Sequence, residues 1–335
     1  MKQRILFPLI ALALLAAACT SQSDPTTTTT VTSGGEETTT TTTNDEGAGS
    51  STTTTNGEAP PAGYEPRFEA SSCEFTPPMD YDVECGYLVV PEDREEPGGA
   101  EIQVAVAVFA ATGDSPAADP VVYLEGGPGG NILDALQFDF QNRFGPFLEE
   151  RDVIIFDQRG VGRSIPNLDC PEMREVTIEL LDDAPTPEEY NDAEAPAVAA
   201  CQSRLAGEGV DLAAYNSASN AADVADLRLA LGIDEWNLYG ISYGTRLALT
   251  TMRDHPEGIR SVILDSTVPI QANLYEEGPA NSQRAFDTFF AGCLADPACA
   301  EAFPNLEDRF YALVDEFNAA PIDVNVSNAL TGESY

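Results

Sequence analysis

The sequence predicts an α/β fold: a doubly wound, mostly parallel sheet with a helical insertion late in the chain. Three observations carry this. Residues 120–124 (PVVYL) and 152–156 (DVIIF) are short, continuously apolar runs, as strands buried on both faces require. Helical patterns alternate with such runs, at 221–231 and 243–253 among others, and strand-helix alternation builds a parallel sheet. Glycine-rich segments follow the strands directly, at the carboxyl ends where open α/β sheets bind ligands.

Taken from its start, the chain opens on Lys2 and Arg4, an apolar run over residues 5–18, and Cys19 after three alanines. About 14 apolar residues fall short of the ~20 that span a bilayer, so the segment reads as an export signal. It resembles a bacterial lipoprotein signal over residues 1–19, with Cys19 as the lipidated residue and Ala16 where leucine is commonest. The alternative is a simple signal cleaved at the alanines. Residues 20–63 are rich in Thr, Ser, Gly, Glu and Asp and have little to bury, which makes them a disordered tether. As coil they would hold a folded domain ~35 to 40 Å from a membrane anchor.

Acidic residues outnumber basic ones 56 to 16, a net charge of −40, and the only lysine is Lys2. Phosphate recognition needs basic patches, so nucleic acid is not an expected partner. The surplus of acid reads as a solvated, self-repelling surface.

Folded sequence begins near Tyr64, and residues 64–267 read as the core. Residues 86–91 (GYLVVP) and 101–110 (EIQVAVAVFA) form an antiparallel edge pair around the turn Glu96-Pro97-Gly98-Gly99. Strands at 120–124, 152–156, 235–239 and 261–264 continue the sheet. Helices fall between them at 132–144, at 188–205 inside a long insertion, at 221–231 closed by Gly232, and at 243–253 closed by Pro256. Residues 268–335 read as the start of a helical cap inserted after the strand that ends at Asp265.

Gly240-Ile241-Ser242-Tyr243-Gly244 is a G-x-S-x-G sequence between a strand and a helix, the setting of the α/β-hydrolase nucleophile elbow. The turn is so sharp that Ser242 must hold strained backbone angles, and side chains at 240 and 244 would collide with neighbouring backbone. The following helix aims its N-terminus at the serine, so the Tyr243 N–H and the helix dipole face an oxyanion forming there. Glu125-Gly126-Gly127-Pro128-Gly129-Gly130 offers a second donor; Pro128 has no N–H, which leaves a glycine, Gly127. A phosphate cradle is the other use of such a loop, but the Gly-Lys-Ser/Thr ending it needs is absent.

Taken together, the G-G-P-G loop, residues 157–164 (DQRGVGRS), residues 226–232 (DLRLALG) and the elbow resemble the secreted tripeptidyl aminopeptidases and the related proline iminopeptidases. The resemblance runs from Cys73 to the end. It implies an exported serine exopeptidase acting on free peptide N-termini, with no cofactor or metal. By the same carry-over Ser242 is the nucleophile, Tyr243 and Gly127 are the oxyanion donors, and Asp157 and Arg159 brace the loop after the fourth strand. Glu125 stands where the iminopeptidases usually carry histidine, and Asn131 where a serine is common. In these relatives cap carboxylates hold the substrate ammonium; Glu276 and Glu277 are the candidates here, with solvated helix-flanking acids as the other reading.

His255 is the only histidine. Thirteen residues along one helix place it ~20 Å from Ser242, far beyond the ~3 Å of a proton transfer. Asp265 is a candidate acid, although a later strand is the usual place. The chain order in these hydrolases is serine, acid, histidine, so residues 1–335 are expected to hold the first member, with the histidine and the acid beyond them. The same elbow serves carboxylesterases and lipases, and a chain without its base also fits a surface lipoprotein that binds peptides without turnover.

Six cysteines remain beside Cys19, an even number in an exported chain. Of fifteen pairings, proximity favours Cys73 with Cys85, Cys170 with Cys201 and Cys293 with Cys299. The middle bridge would staple the insertion and stabilise it by ~3 to 4 kcal/mol. A metal site is the alternative, disfavoured by the lack of C-x-x-C spacing and of nearby histidines.

Overall fold

The computed structural model describes residues 64–182, 185–320, 322, 324–327, 332 and 334. The signal with Cys19 and the tether over 1–63 lie outside the described residues. One sheet of seven strands forms: β1 (Arg67–Ser71), β2 (Val83–Pro91), β3 (Glu101–Phe109), β4 (Val121–Leu124), β5 (Val153–Phe156), β6 (Trp236–Ile241) and β7 (Ile259–Asp265). Their order is β1-β2-β3-β5-β4-β6-β7. The first three strands are antiparallel and β3 meets β5 antiparallel, whereas β5, β4, β6 and β7 run parallel.

The helices are α1 (Phe140–Leu148), α2 (Pro171–Glu179), α3 (Pro187–Gly207), α4 (Ser217–Ala230), α5 (Tyr243–Asp254), α6 (Leu274–Ala295), α7 (Pro297–Ala302) and α8 (Leu306–Ala319). Alternation along β4 explains the apolar run that marked it. Val121 and Tyr123 pack with Phe140, Phe144 and Leu148 of α1, while Val122 and Leu124 pack with Val224 and Leu227 of α4 and Leu247 of α5. Neither face meets water, so no position of β4 is polar. Each large side chain removed from water in this way contributes about 1.5–3 kcal/mol.

Three elements differ from the sequence expectation. The helix expected at 132–144 begins only at Phe140, because the buried Asp157 carboxylate takes the Ile132 and Leu133 N–H groups at 3.0 and 3.1 Å and folds this stretch into turns. Ile132, Leu133 and Leu136 are buried all the same, and their spacing is what imitates a helix. The short edge strand β1 and the helix α2 were not expected; α2 buries no residue and so presents no apolar stripe.

Disulfides join Cys73 to Cys85, Cys170 to Cys201 and Cys293 to Cys299. The second ties the start of α2 to α3. Sheet order also fixes the site. Because β4 lies between β5 and β6, the loops leaving β4 and β6 emerge side by side at a topological switch point.

Candidate active site

β6 ends at Ile241, α5 begins at Tyr243, and Ser242 between them has φ 53° and ψ −120°. A serine with positive φ is strained by about 1–3 kcal/mol and persists only where its surroundings over-determine it. Here they do. The Ser242 N–H donates to the Asp265 carbonyl of β7 at 2.9 Å, and the Ser242 carbonyl accepts from the Thr245 N–H and hydroxyl at 3.0 and 2.6 Å. A Cβ at Gly240 would overlap the Gly244 carbonyl, and one at Gly244 would overlap the Leu124 carbonyl. Both glycines of the motif are therefore steric necessities. Ser242 itself is half-buried and faces the β4 loop: a Cβ on Gly126 would come within 3.1 Å of the Ser242 Cβ.

That loop divides its N–H groups. The Gly126 N–H donates to the Glu125 carboxylate at 2.7 Å, and the Gly130 N–H to the Gly126 carbonyl at 3.2 Å. Gly127 has φ 113° and is exposed, and among the described residues its N–H has no acceptor. Glu125 thus closes the loop with its own side chain. Its carboxylate holds the loop while it also accepts the Tyr123 hydroxyl at 3.2 Å and lies 3.7 Å from Arg143. The Gln158 amide donates to the Glu125 carbonyl at 2.9 Å and ties the loop to the segment after β5.

Asp157 and Arg159 brace this end of the sheet from within. Besides Ile132 and Leu133, Asp157 accepts the Arg163 N–H at 2.9 Å; burial raises its pKa to about 6, and the three N–H bonds oppose that rise. Arg159 is buried and forks onto Asp223 of α4 at 2.6 and 2.7 Å, with further bonds to the Glu92 and Ala214 carbonyls. Arg94 bridges Asp223 and Asp226, and the Tyr64 hydroxyl donates to Asp226 at 3.2 Å. Desolvation raises the Asp226 pKa in spite of Arg94, and raises that of Tyr64 as well. This chain of charges is invisible in the sequence, since Arg94 and Asp226 stand 132 positions apart.

Of the other candidates, Asp265 adjoins the elbow through the carbonyl that accepts the Ser242 N–H. His255 caps the far end of α5. Asp265 ends β7 with its carboxylate exposed and bonded to the Ser266 hydroxyl at 3.1 Å. Glu276 and Glu277 lie exposed in the first turn of α6, where Glu277 accepts the Asn273 N–H at 3.1 Å, as helix-flanking acids do.

Known proteins are similar to this chain over much of its length. Serine protease Hip1 of Mycobacterium tuberculosis is 31% identical over 229 residues, covering 64% of this chain and 42% of its own length. Tripeptidyl aminopeptidase of Streptomyces lividans is 30% identical over 218 residues (61% and 39%), and carboxylesterase B of M. tuberculosis is 30% identical over 254 residues (71% and 47%). The match therefore spans less than half the length of each of these relatives. The family described as alpha/beta hydrolase fold matches residues 119–325, which contain the β4 loop, the elbow and the parallel strands that carry them, and the chain belongs to the α/β-hydrolase fold family.

Proposed function

We propose that this chain carries the nucleophile part of an exported serine hydrolase of the aminopeptidase type. The observation that carries the reading is Ser242, held at φ 53° on a strand-to-helix turn beside the β4 loop. The Ser242 Oγ adds to the substrate carbonyl carbon, the carbonyl oxygen becomes an oxyanion, and the Gly127 and Tyr243 N–H groups hold it. The Oγ proton passes to a histidine outside these 335 residues, because His255 lies ~20 Å along the helix. The acid that orients this histidine also comes from outside them, with Asp265 as the runner-up.

Peptides with free N-termini are the proposed substrates, supported by the serine protease and tripeptidyl aminopeptidase among the relatives. The carboxylesterase relative supports short acyl esters as the second reading. Three disulfides are the mark of a protein folded in an oxidising compartment, and no helix among the described residues is long and apolar enough to cross a membrane. Attachment is proposed to run through a lipid on Cys19 and the Thr-rich tether.

In an active preparation, Ser242→Ala should abolish both turnover and fluorophosphonate labelling; labelling that survives would reject the assignment. Peptides with free and blocked N-termini, set against short acyl esters, separate the two substrate classes. Residues 1–335 alone should hydrolyse tripeptidyl and aminoacyl amides only at a residual rate. Enzyme-like rates lost on Ser242→Ala would instead place a base within them.

A further inference from the structure

Beside the elbow lies a cavity of about 740 Å³, within the size range of ligand pockets. Pro128 and Gly129 of the β4 loop form one wall, Gly160 and Leu168 of the segment after β5 a second, and Ser217 and Asn220 of α4 a third. Tyr243 stands between them, with its hydroxyl 2.8 Å from that of Ser217. An occupant of the cavity therefore touches the side chain of the residue whose N–H faces the oxyanion.

Carboxamides dominate the polar lining, and most are spent within the fold. Asn131 bonds Asp134, Gln158 the Glu125 carbonyl, Asn167 the Gly162 carbonyl, and Asn216 caps α4. Asn220 differs. It is 8% exposed, and its Oδ1 has no hydrogen-bond partner. It occupies the helical stripe of Val224 and Leu227, at i, i+4 and i+7, where an apolar side chain would avoid the desolvation cost of an unpaired amide oxygen. Charge is scarce around it. The Arg159 guanidinium is committed to Asp223 and to backbone carbonyls, and Asp169 is exposed.

We propose that this cavity is a substrate subsite for an amide group of a peptide, with Asn220 as its buried anchor. The proposal rests on the reading of the chain as a peptidase. A carboxamide offers both a donor and an acceptor, the complement of a peptide unit or of an Asn or Gln side chain. A long acyl chain would instead bury these polar walls without pairing them.

The test uses the full chain carrying Ser242→Ala, titrated calorimetrically with trialanine, Ala-Gln-Ala and ethyl octanoate. Asn220→Leu should weaken peptide binding about tenfold, leave ethyl octanoate unaffected, and keep or raise the melting temperature, because an unpaired buried group is gone. Equal losses for the two peptides assign the backbone amide; a loss confined to Ala-Gln-Ala assigns the side chain. Peptide affinity that survives Asn220→Leu, absence of peptide binding, or a lower melting temperature overturns the proposal. Should the leucine variant not fold, Asn220→Ala is read by its peptide affinity in the same way. Fluorophosphonate labelling of Ser242 in an active preparation, found alongside unchanged peptide affinity in the variant, removes the subsite and leaves the hydrolase reading standing.

Discussion

Gly244 in the first turn of α5 and Gly292 near the end of α6 are both helical glycines, yet a Cβ at the first would overlap the Leu124 carbonyl oxygen and at the second would meet nothing within 4 Å. The contrast extends to their surroundings. Around the elbow, backbone packs on backbone: strand β6 is buried along most of its length, and loop, strand and helix approach too closely for any side chain. Helices α6 to α8 are held by side chains instead, through the rings of Phe286, Phe290, Phe310 and Tyr311 and the Cys293–Cys299 bridge. Phe289 and Leu294 beside them remain 53% and 79% exposed. Position is thus set by backbone contacts where the chemistry is expected, and by side chains where only helices must be carried.

The sharpest way to break this contrast is the buried charge chain. Asp223→Ala strands Arg159 and Arg94 without their shared carboxylate and should cost about 3–5 kcal/mol in urea unfolding. A loss below 1 kcal/mol would mean that the network does not brace the elbow. Next comes Gly244→Ala, expected to cost about 3 kcal/mol through overpacking against Leu124. The same titration made on Gly292→Ala gives the smallest effect and the opposite sign, as described below.

Between them lies a pH effect. The pKa of Asp157 is raised to about 6 from 3.8, chiefly by burial, so its folded form binds a proton more tightly than its unfolded form. The stability it contributes is fully present below about pH 4 and is lost as pH rises through 6, by up to about 3 kcal/mol. Asp157→Asn removes this titration but sets an amide N–H against the Arg163 N–H, so it should be less stable than the parent. That deficit should shrink between pH 4 and pH 7; a deficit constant with pH would show that Asp157 is not the titrating group.

Smallest of all, Gly292→Ala should stabilise by about 0.5–1 kcal/mol, since it removes backbone freedom from the unfolded chain at a site with open space. Destabilisation there would mean that α6 packs as tightly as the elbow does.

How much of this was legible in the sequence follows the same division. Strands β4 and β5, the elbow and the glycine loop could be read because local chemistry dictates them: a strand covered on both sides must be apolar throughout, and a turn that admits no Cβ must be glycine. The helix expected from 132 failed because a residue 25 positions away, Asp157, captures its first N–H groups. Asn220 is silent for a related reason. Nothing in an amide at one helical position says whether it is capped, solvated or buried without a partner. The role of Glu125 was also hidden, since only the fold shows its carboxylate closing on the next N–H.

The bonds around Thr245 have one more consequence. Its hydroxyl donates to the Ser242 carbonyl and accepts the Val268 N–H at 2.7 Å, while Arg246 donates to the Ile270 and Ala272 carbonyls. The connection leaving β7 is therefore lashed to the first turn of the serine's own helix at three successive points. Up to Ala272 this connection rides with α5, and α6 starts just beyond it, behind its N-cap Asn273. Tension on α6 would therefore reach the first turn of α5 through these bonds, and slow amide exchange at Val268 would be their signature.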